Sequence, residues 1–165
     1  MRSKVLIILM SICSGLLFFF INQMTPHPGQ TSGNGNPAIP LIILLFLLFC
    51  YLVFLWLKTF NNIVIKRLHL IFAMIIIAIF WIIGVLYQKA DFLVHRDVLA
   101  EAYKVKYGSI DWEYINQITS SVLSIHLNNH YFNVISYFIF ISASLFIAII
   151  FKFIKDFTSH PRESF

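Results

Sequence analysis

Four long apolar runs, separated by shorter polar segments, dominate the pattern of this chain. These runs predict membrane spans at about residues 5–21, 38–57, 68–87 and 132–151. Runs of about 18 or more apolar residues are long enough to cross the hydrocarbon core of a bilayer as helices. A membrane β-barrel would instead need strands of about 10 residues that alternate polar and apolar positions. The pattern therefore predicts an all-α membrane protein with four transmembrane helices.

The polar segments between the runs differ in character. Residues 22–37 are rich in Gly, Pro and Asn, a composition typical of a loop, so we predict a linker there. Residues 88–131 hold five of the seven Asp/Glu and three of the six His in the chain. Only 12% of all residues are charged, against about 25% in soluble domains. We therefore expect residues 1–165 to form a single integral membrane domain, with its chemistry or recognition surface in segment 88–131.

The positions of Lys and Arg predict the orientation of the chain. Two lie at the N-terminus, three in the connector 58–68 and three in the C-terminal tail, whereas linker 22–37 has none and segment 88–131 has four. Because basic residues accumulate on the cytoplasmic side, we expect both termini in the cytoplasm and segment 88–131 outside. This is the topology of a multi-pass protein of the plasma membrane. Frequent Ile, Phe, Lys and Asn, which AT-rich codons encode, indicate a bacterial origin.

The net charge of +5 does not indicate a nucleic-acid partner, because the cations lie at the ends of the spans. Cys13 and Cys50 lie inside apolar runs without a C-x-x-C motif, so we interpret them as small hydrophobic residues. No Asp, Glu, Lys, Arg or His falls near the middle of a span, which disfavours a pump, a transporter acting alone or a haem protein.

Segment 88–131 shows helical periodicity in two places. Between Asp91 and Lys104, Leu99 can share one face with other apolar residues while Asp97 and Glu101 share another. A second helix, capped by Ser109, would align apolar residues at helical spacing: Ile110, Tyr114, Ile118, Val122 and Ile125. We predict an extracytoplasmic amphipathic hairpin between spans three and four. It would lie on the membrane surface, or present a face that docks a partner.

These features predict a small accessory, immunity or signalling protein that binds a membrane-protein partner or an extracellular peptide. It would be surrounded by membrane lipid, and a homo-oligomer would also fit. The candidate partner-binding residues are Asp97, Glu101, Trp112, Tyr114 and Ile118.

An enzyme is the alternative from a different class. His126 and His130 are four residues apart and would share a helix face, a spacing that can bind zinc. The segment lacks the glutamate of an H-E-x-x-H motif, so these two histidines are weak candidates, and we expect neither a metal nor another cofactor. A metal-dependent enzyme using them with an acidic residue of the segment, and a small channel or transport subunit, remain as alternatives to the non-enzymatic interpretation.

Overall fold

Six α-helices and one 3₁₀ turn form the regular structure in the computed structural model, which describes residues 2–30 and 35–158. In chain order the elements are α1 (Arg2–Gln23), α2 (Ile39–Phe60), α3 (Arg67–Tyr107), α4 (Trp112–Thr119), the 3₁₀ turn (Ile125–Leu127), α5 (Asn128–Tyr131) and α6 (Val134–Thr158).

Four of these helices, α1, α2, α3 and α6, are long and apolar enough to cross a membrane. The prediction of four apolar spans in an all-helical chain is thus confirmed. Many of their large apolar side chains are exposed, as expected for surfaces that face lipid rather than a protein core. Pro40 lies in the first turn of α2, where its missing N–H interrupts no helical hydrogen bond.

The four long helices alternate in direction, and α6 contacts the other three. Two glycines lie where α1 and α3 contact α6, and only Gly84 is too close to α6 to accept a Cβ atom without a shift of a neighbouring side chain. A Cβ atom on Gly15 of α1 would lie 3.5 Å from the ring of Tyr137, and one on Gly84 of α3 would lie 2.9 Å from Ile139. Between α3 and α6, the Trp81 indole N–H also donates a hydrogen bond to the Ser142 hydroxyl at 2.9 Å.

Helix α3 continues for 41 residues without interruption. At 1.5 Å per residue it is about 60 Å long, roughly twice the thickness of a bilayer core. The prediction of a separate amphipathic helix between Asp91 and Lys104 is therefore wrong, because these residues continue the helix that contains the third span. Residues 85–107 contain neither Gly nor Pro, so nothing in the sequence breaks the helix there. It ends at Gly108, whose φ of 84° suits a left-handed C-terminal residue.

The second predicted outer helix is shorter than expected. Its cap is Asp111 rather than Ser109, because the Asp111 carboxylate accepts the Tyr114 N–H at 3.0 Å. It ends at Thr119 rather than continuing to Ile125. The Ser120 hydroxyl there donates to a carbonyl of the last helical turn, a local bond that competes with helix propagation.

Candidate functional site

The polar parts of the chain converge at one end of the bundle into a folded unit, which we call the head. It consists of residues 24–30, 35–38 and 88–133. Helix α4 packs against the outer half of α3, and Ile115 of α4 is buried against Leu99, Ala100 and Tyr103 of α3. The head therefore has a small hydrophobic core of its own outside the apolar spans.

A buried pair of asparagines joins residues 35–38, the end of the linker, to the rest of the head. The Asn36 amide N–H donates to the Asn128 side-chain oxygen at 2.7 Å, and the Asn128 amide N–H donates back at 3.1 Å. Asn36 also donates to the Leu123 carbonyl at 3.0 Å and accepts the Ala38 N–H at 2.9 Å. Buried polar groups are stable only when hydrogen-bonded, so this network fixes the position of Asn36 and Ala38 at the end of the linker.

The linker is attached to α3 at a second place. The Tyr103 hydroxyl donates to the Gln30 carbonyl at 2.8 Å, and the Lys106 ammonium donates to the Gly29 carbonyl at 2.8 Å. Gly29 has a φ of 84°, and a Cβ atom there would lie 3.4 Å from the backbone of Ala102. The positive φ explains why glycine occupies this position, since a Cβ atom at that distance would make an ordinary contact.

Near the junction of the head and the spans, three histidines meet one carboxylate. His130 Nδ1–H donates to an Asp91 carboxylate oxygen at 2.9 Å, and His95 Nε2–H donates to the His126 carbonyl at 2.9 Å. The rings of His95 and His130 are stacked with centroids 6.3 Å apart. The carboxylate orients the His130 ring, as it would for an imidazole that acts as a base or a ligand.

Burial changes the protonation of two of these histidines. The pKa of His126 is lowered because burial disfavours the charged imidazole, and His95 nearby lowers it further. The pKa of His95 is lowered as well, mainly by burial, although its bond to the His126 carbonyl opposes that shift. His126 Nδ1 is buried and has no hydrogen-bond partner among the described residues. Both rings are therefore neutral at pH 7.

An open cavity of about 430 Å³ adjoins this cluster. Polar and apolar side chains of α3, α5 and α6 line it: Tyr87, Asp91, Val94, His95, Val98, Asn129, His130, Asn133, Val134 and Ile135. Asn133, one of these lining residues, accepts a hydrogen bond from the Gln88 amide at 2.9 Å. Gln88 also donates to Ser136 at 2.8 Å, which connects α3 to α6.

The two weak metal candidates, His126 and His130, both lie beside His95 of α3. Within residues 2–30 and 35–158, however, no group of three or more His, Cys, Asp or Glu side chains is arranged to hold a metal ion. Asp91, the carboxylate that contacts His130, was not singled out from the sequence. The signal was its position on one face of α3 with Gln88 and His95, at spacings of three and four residues.

The predicted partner-binding residues separate into two groups. Asp97, Glu101 and Trp112 are exposed. Tyr114 and Ile118 are partly buried and pack against the core that α3 and α4 share. Only the first group is therefore free to contact another molecule without a rearrangement of the head.

Asp97 and Glu101 lie beside a row of exposed valines on α3. Val94 is 62% exposed, Val98 49% and Val105 81%. In chain order, Val94, Val98, Glu101 and Val105 are separated by four, three and four residues. This spacing places them on one face of the helix. We call these three valines with Asp97 and Glu101 the valine face.

Three tyrosines meet at the tip of the head, where α3 ends and α4 begins. The rings of Tyr103 and Tyr107 are stacked with centroids 5.8 Å apart, and Tyr114 meets Tyr103 edge-on at 5.2 Å. Burial raises the pKa of Tyr103, so its hydroxyl stays protonated and keeps its hydrogen bond to the linker.

Comparison with known proteins adds no further assignment, because no protein family, curated protein or solved structure matches the chain.

Proposed function

We propose that this chain is a small multi-pass protein of the bacterial plasma membrane, of the accessory, immunity or signalling type. Both termini lie in the cytoplasm and the head lies outside. The distribution of Lys and Arg supports this orientation, since linker 22–37 has none while the three segments at the opposite end have eight. The uninterrupted course of α3 favours a head that projects from the membrane over a hairpin that lies on its surface.

In this proposal the head binds a membrane-protein partner or an extracellular peptide through the valine face. The observation that carries the proposal is the row of exposed valines on a helix that has already left the apolar spans. Exposing apolar side chains to water there is unfavourable, and contiguous exposed apolar surface marks interaction sites. Asp97 and Glu101 lie beside the valines, and the Glu101 carboxylate already contacts the Lys104 ammonium at 3.2 Å. Asp97 in particular therefore favours a partner with a basic residue next to its apolar ones.

Site-specific photo-crosslinking in native membranes tests this assignment. A photoreactive amino acid replaces Val94 or Val98 in turn, and Val122, which is 63% exposed but lies outside α3, serves as the matched control. We expect one discrete crosslinked product from the two α3 positions and none from Val122. Equal crosslinking at all three positions, or none at any of them, would contradict the proposal.

Charge reversal provides the second arm of the test. We expect the double variant Asp97→Lys and Glu101→Lys to reduce the crosslink at Val98 at least fivefold while leaving membrane insertion unchanged. Lys89→Glu is the control, because this exposed residue is five positions from Val94 and so about 140° away around the helix. A crosslink insensitive to the double variant would show that the acidic residues take no part in recognition.

An enzyme at the histidine cluster is the second candidate, because a carboxylate that orients a histidine beside a cavity is found in general-base and metal sites. Metal analysis of the gently purified protein separates the metal-dependent version from the binding function. A metal enzyme predicts one zinc per chain, whereas a value below about 0.1 excludes a tight structural or catalytic zinc.

A further inference from the structure

The tip of the head contains a second cavity, of about 310 Å³, separate from the histidine cluster. Its lining is unusually aromatic for so small a site: Tyr103, Tyr107, Ser109, Asp111 and Tyr114. The ring of Tyr107 is 56% exposed, and Tyr114 is partly exposed. Aromatic surface is therefore accessible to a ligand from outside.

Three features of this cavity favour positive charge. The faces of tyrosine rings carry the negative part of the ring quadrupole, which attracts cations. Asp111 adds a carboxylate, which its bond to the Tyr114 N–H holds at the start of α4. The cavity also adjoins the C-terminal end of α3, where the negative end of the helix dipole favours a cation.

One cation of the chain already uses this aromatic surface. The Lys106 ammonium lies 5.2 Å from the centroid of the Tyr107 ring and donates to the Gly29 carbonyl. Lys106 does not line the cavity. Its contact with Tyr107 therefore places an ammonium group beside this ring without filling the cavity.

We propose that the tyrosine cavity binds an organic cation, with Tyr107 and Tyr114 contacting its alkyl-ammonium surface and Asp111 supplying the counter-charge. Tyr107 lies twenty residues beyond Tyr87 on an uninterrupted helix, which is about 30 Å along the axis. A headgroup of the same membrane is therefore out of reach, and the cation belongs to a soluble molecule or to a partner. This site does not depend on the valine face or on the partner proposed to bind there.

The test uses tetramethylammonium chloride as the probe, with the full chain in lipid nanodiscs. Fluorine labels on the seven tyrosines report binding by NMR, and substitution of each cavity tyrosine assigns its signal. We expect saturable shifts of the Tyr107 and Tyr114 signals at millimolar probe. Sodium chloride at equal ionic strength and tert-butanol, a neutral molecule of similar shape, should give no saturable shift.

Variants separate a cation–aromatic site from a merely hydrophobic one. Tyr107→Phe should keep the affinity, whereas Tyr107→Leu should weaken it roughly two- to fivefold because one aromatic face is lost. Asp111→Asn should weaken binding by a similar factor while preserving the helix cap, since asparagine also caps well. Lys106→Gln should strengthen binding, because a neighbouring positive charge is removed.

Tyr87→Leu is the matched control, since Tyr87 is 53% exposed on the same helix but lies outside the cavity, and we expect it to leave the affinity unchanged. The proposal is overturned if the probe gives no saturable shift, if tert-butanol gives the same shift, or if Tyr107→Leu binds as tightly as the unsubstituted protein.

Discussion

Replacement of Asn128 by alanine should loosen the attachment of residues 35–38 to the rest of the head, and the hydrogen bonds indicate by how much. The substitution removes both bonds of the reciprocal pair with Asn36, at 2.7 and 3.1 Å, in a site where Asn128 is only 1% exposed. Asn36 keeps its bonds to Leu123 and Ala38. With a net contribution of about 1 kcal/mol for each lost bond, the cost is about 2 kcal/mol. The open form of the linker should therefore become about 30-fold more populated.

Amide hydrogen exchange in nanodiscs measures this opening, because exchange from a rapidly closing form reports its equilibrium population. The Ala38 amide, which donates to the Asn36 side chain, is the most direct probe. Asn129→Ala is the matched control, since the Asn129 side-chain oxygen is buried without a partner in the described part of the chain. We expect Asn129→Ala to change the exchange rate of the Ala38 amide less than about twofold. Equal effects of the two variants would refute the assignment of linker stability to the asparagine pair.

Two further predictions concern the stability of the head. Because burial lowers the pKa values of His95 and His126, the unfolded head takes up protons near pH 6.5 that the folded head does not bind. The free energy of unfolding should therefore be highest above about pH 6.5 and decrease as the pH falls towards the lowered pKa values. Thermal unfolding at several pH values measures this decrease. His126→Gln should make the unfolding temperature less dependent on pH. Gly108→Ala should lower the free energy of unfolding by about 1 kcal/mol, because φ at this position is 84°. A Cβ atom there would meet nothing within 4 Å, so the cost comes from the backbone conformation and not from a clash. Gly108→Asn should cost less, since asparagine tolerates this conformation better. An unchanged unfolding temperature in Gly108→Ala would indicate that the end of α3 relaxes to a different backbone conformation.

The spans could be predicted from the sequence because the membrane imposes a simple rule. Residues near the middle of each span must be apolar over about 30 Å, and the four runs satisfy this without interruption. The apolar pattern does not predict the continuation of α3. The sequence changes from apolar to polar after Tyr87, whereas the backbone remains helical. Helix ends depend on breakers and caps, and the first breaker after the span is Gly108.

The interior of the head was harder to predict because its contacts join distant parts of the chain. Asn36 and Asn128 are 92 residues apart, and Asp91 and His130 are 39 apart. Linker 22–37 has the composition of a solvated loop and carries no periodicity that would indicate packing. The spacing of His126 and His130 predicts only that the two histidines share one face of a helix. In the fold their neighbour is His95 on α3, which only the tertiary arrangement reveals.

The central claim is that an uninterrupted α3 carries the head away from the membrane, and a distance along that helix tests it most directly. Spin labels at Phe72 and Val105, which are 64% and 81% exposed, would be measured by pulsed electron resonance in nanodiscs, with Cys13 and Cys50 replaced by alanine. The 33 residues between the labels correspond to about 50 Å in a continuous helix. A narrow distribution near about 50 Å is the predicted result. A distance near about 35 Å, expected if the chain turned onto the membrane surface close to Gln88, would contradict the account.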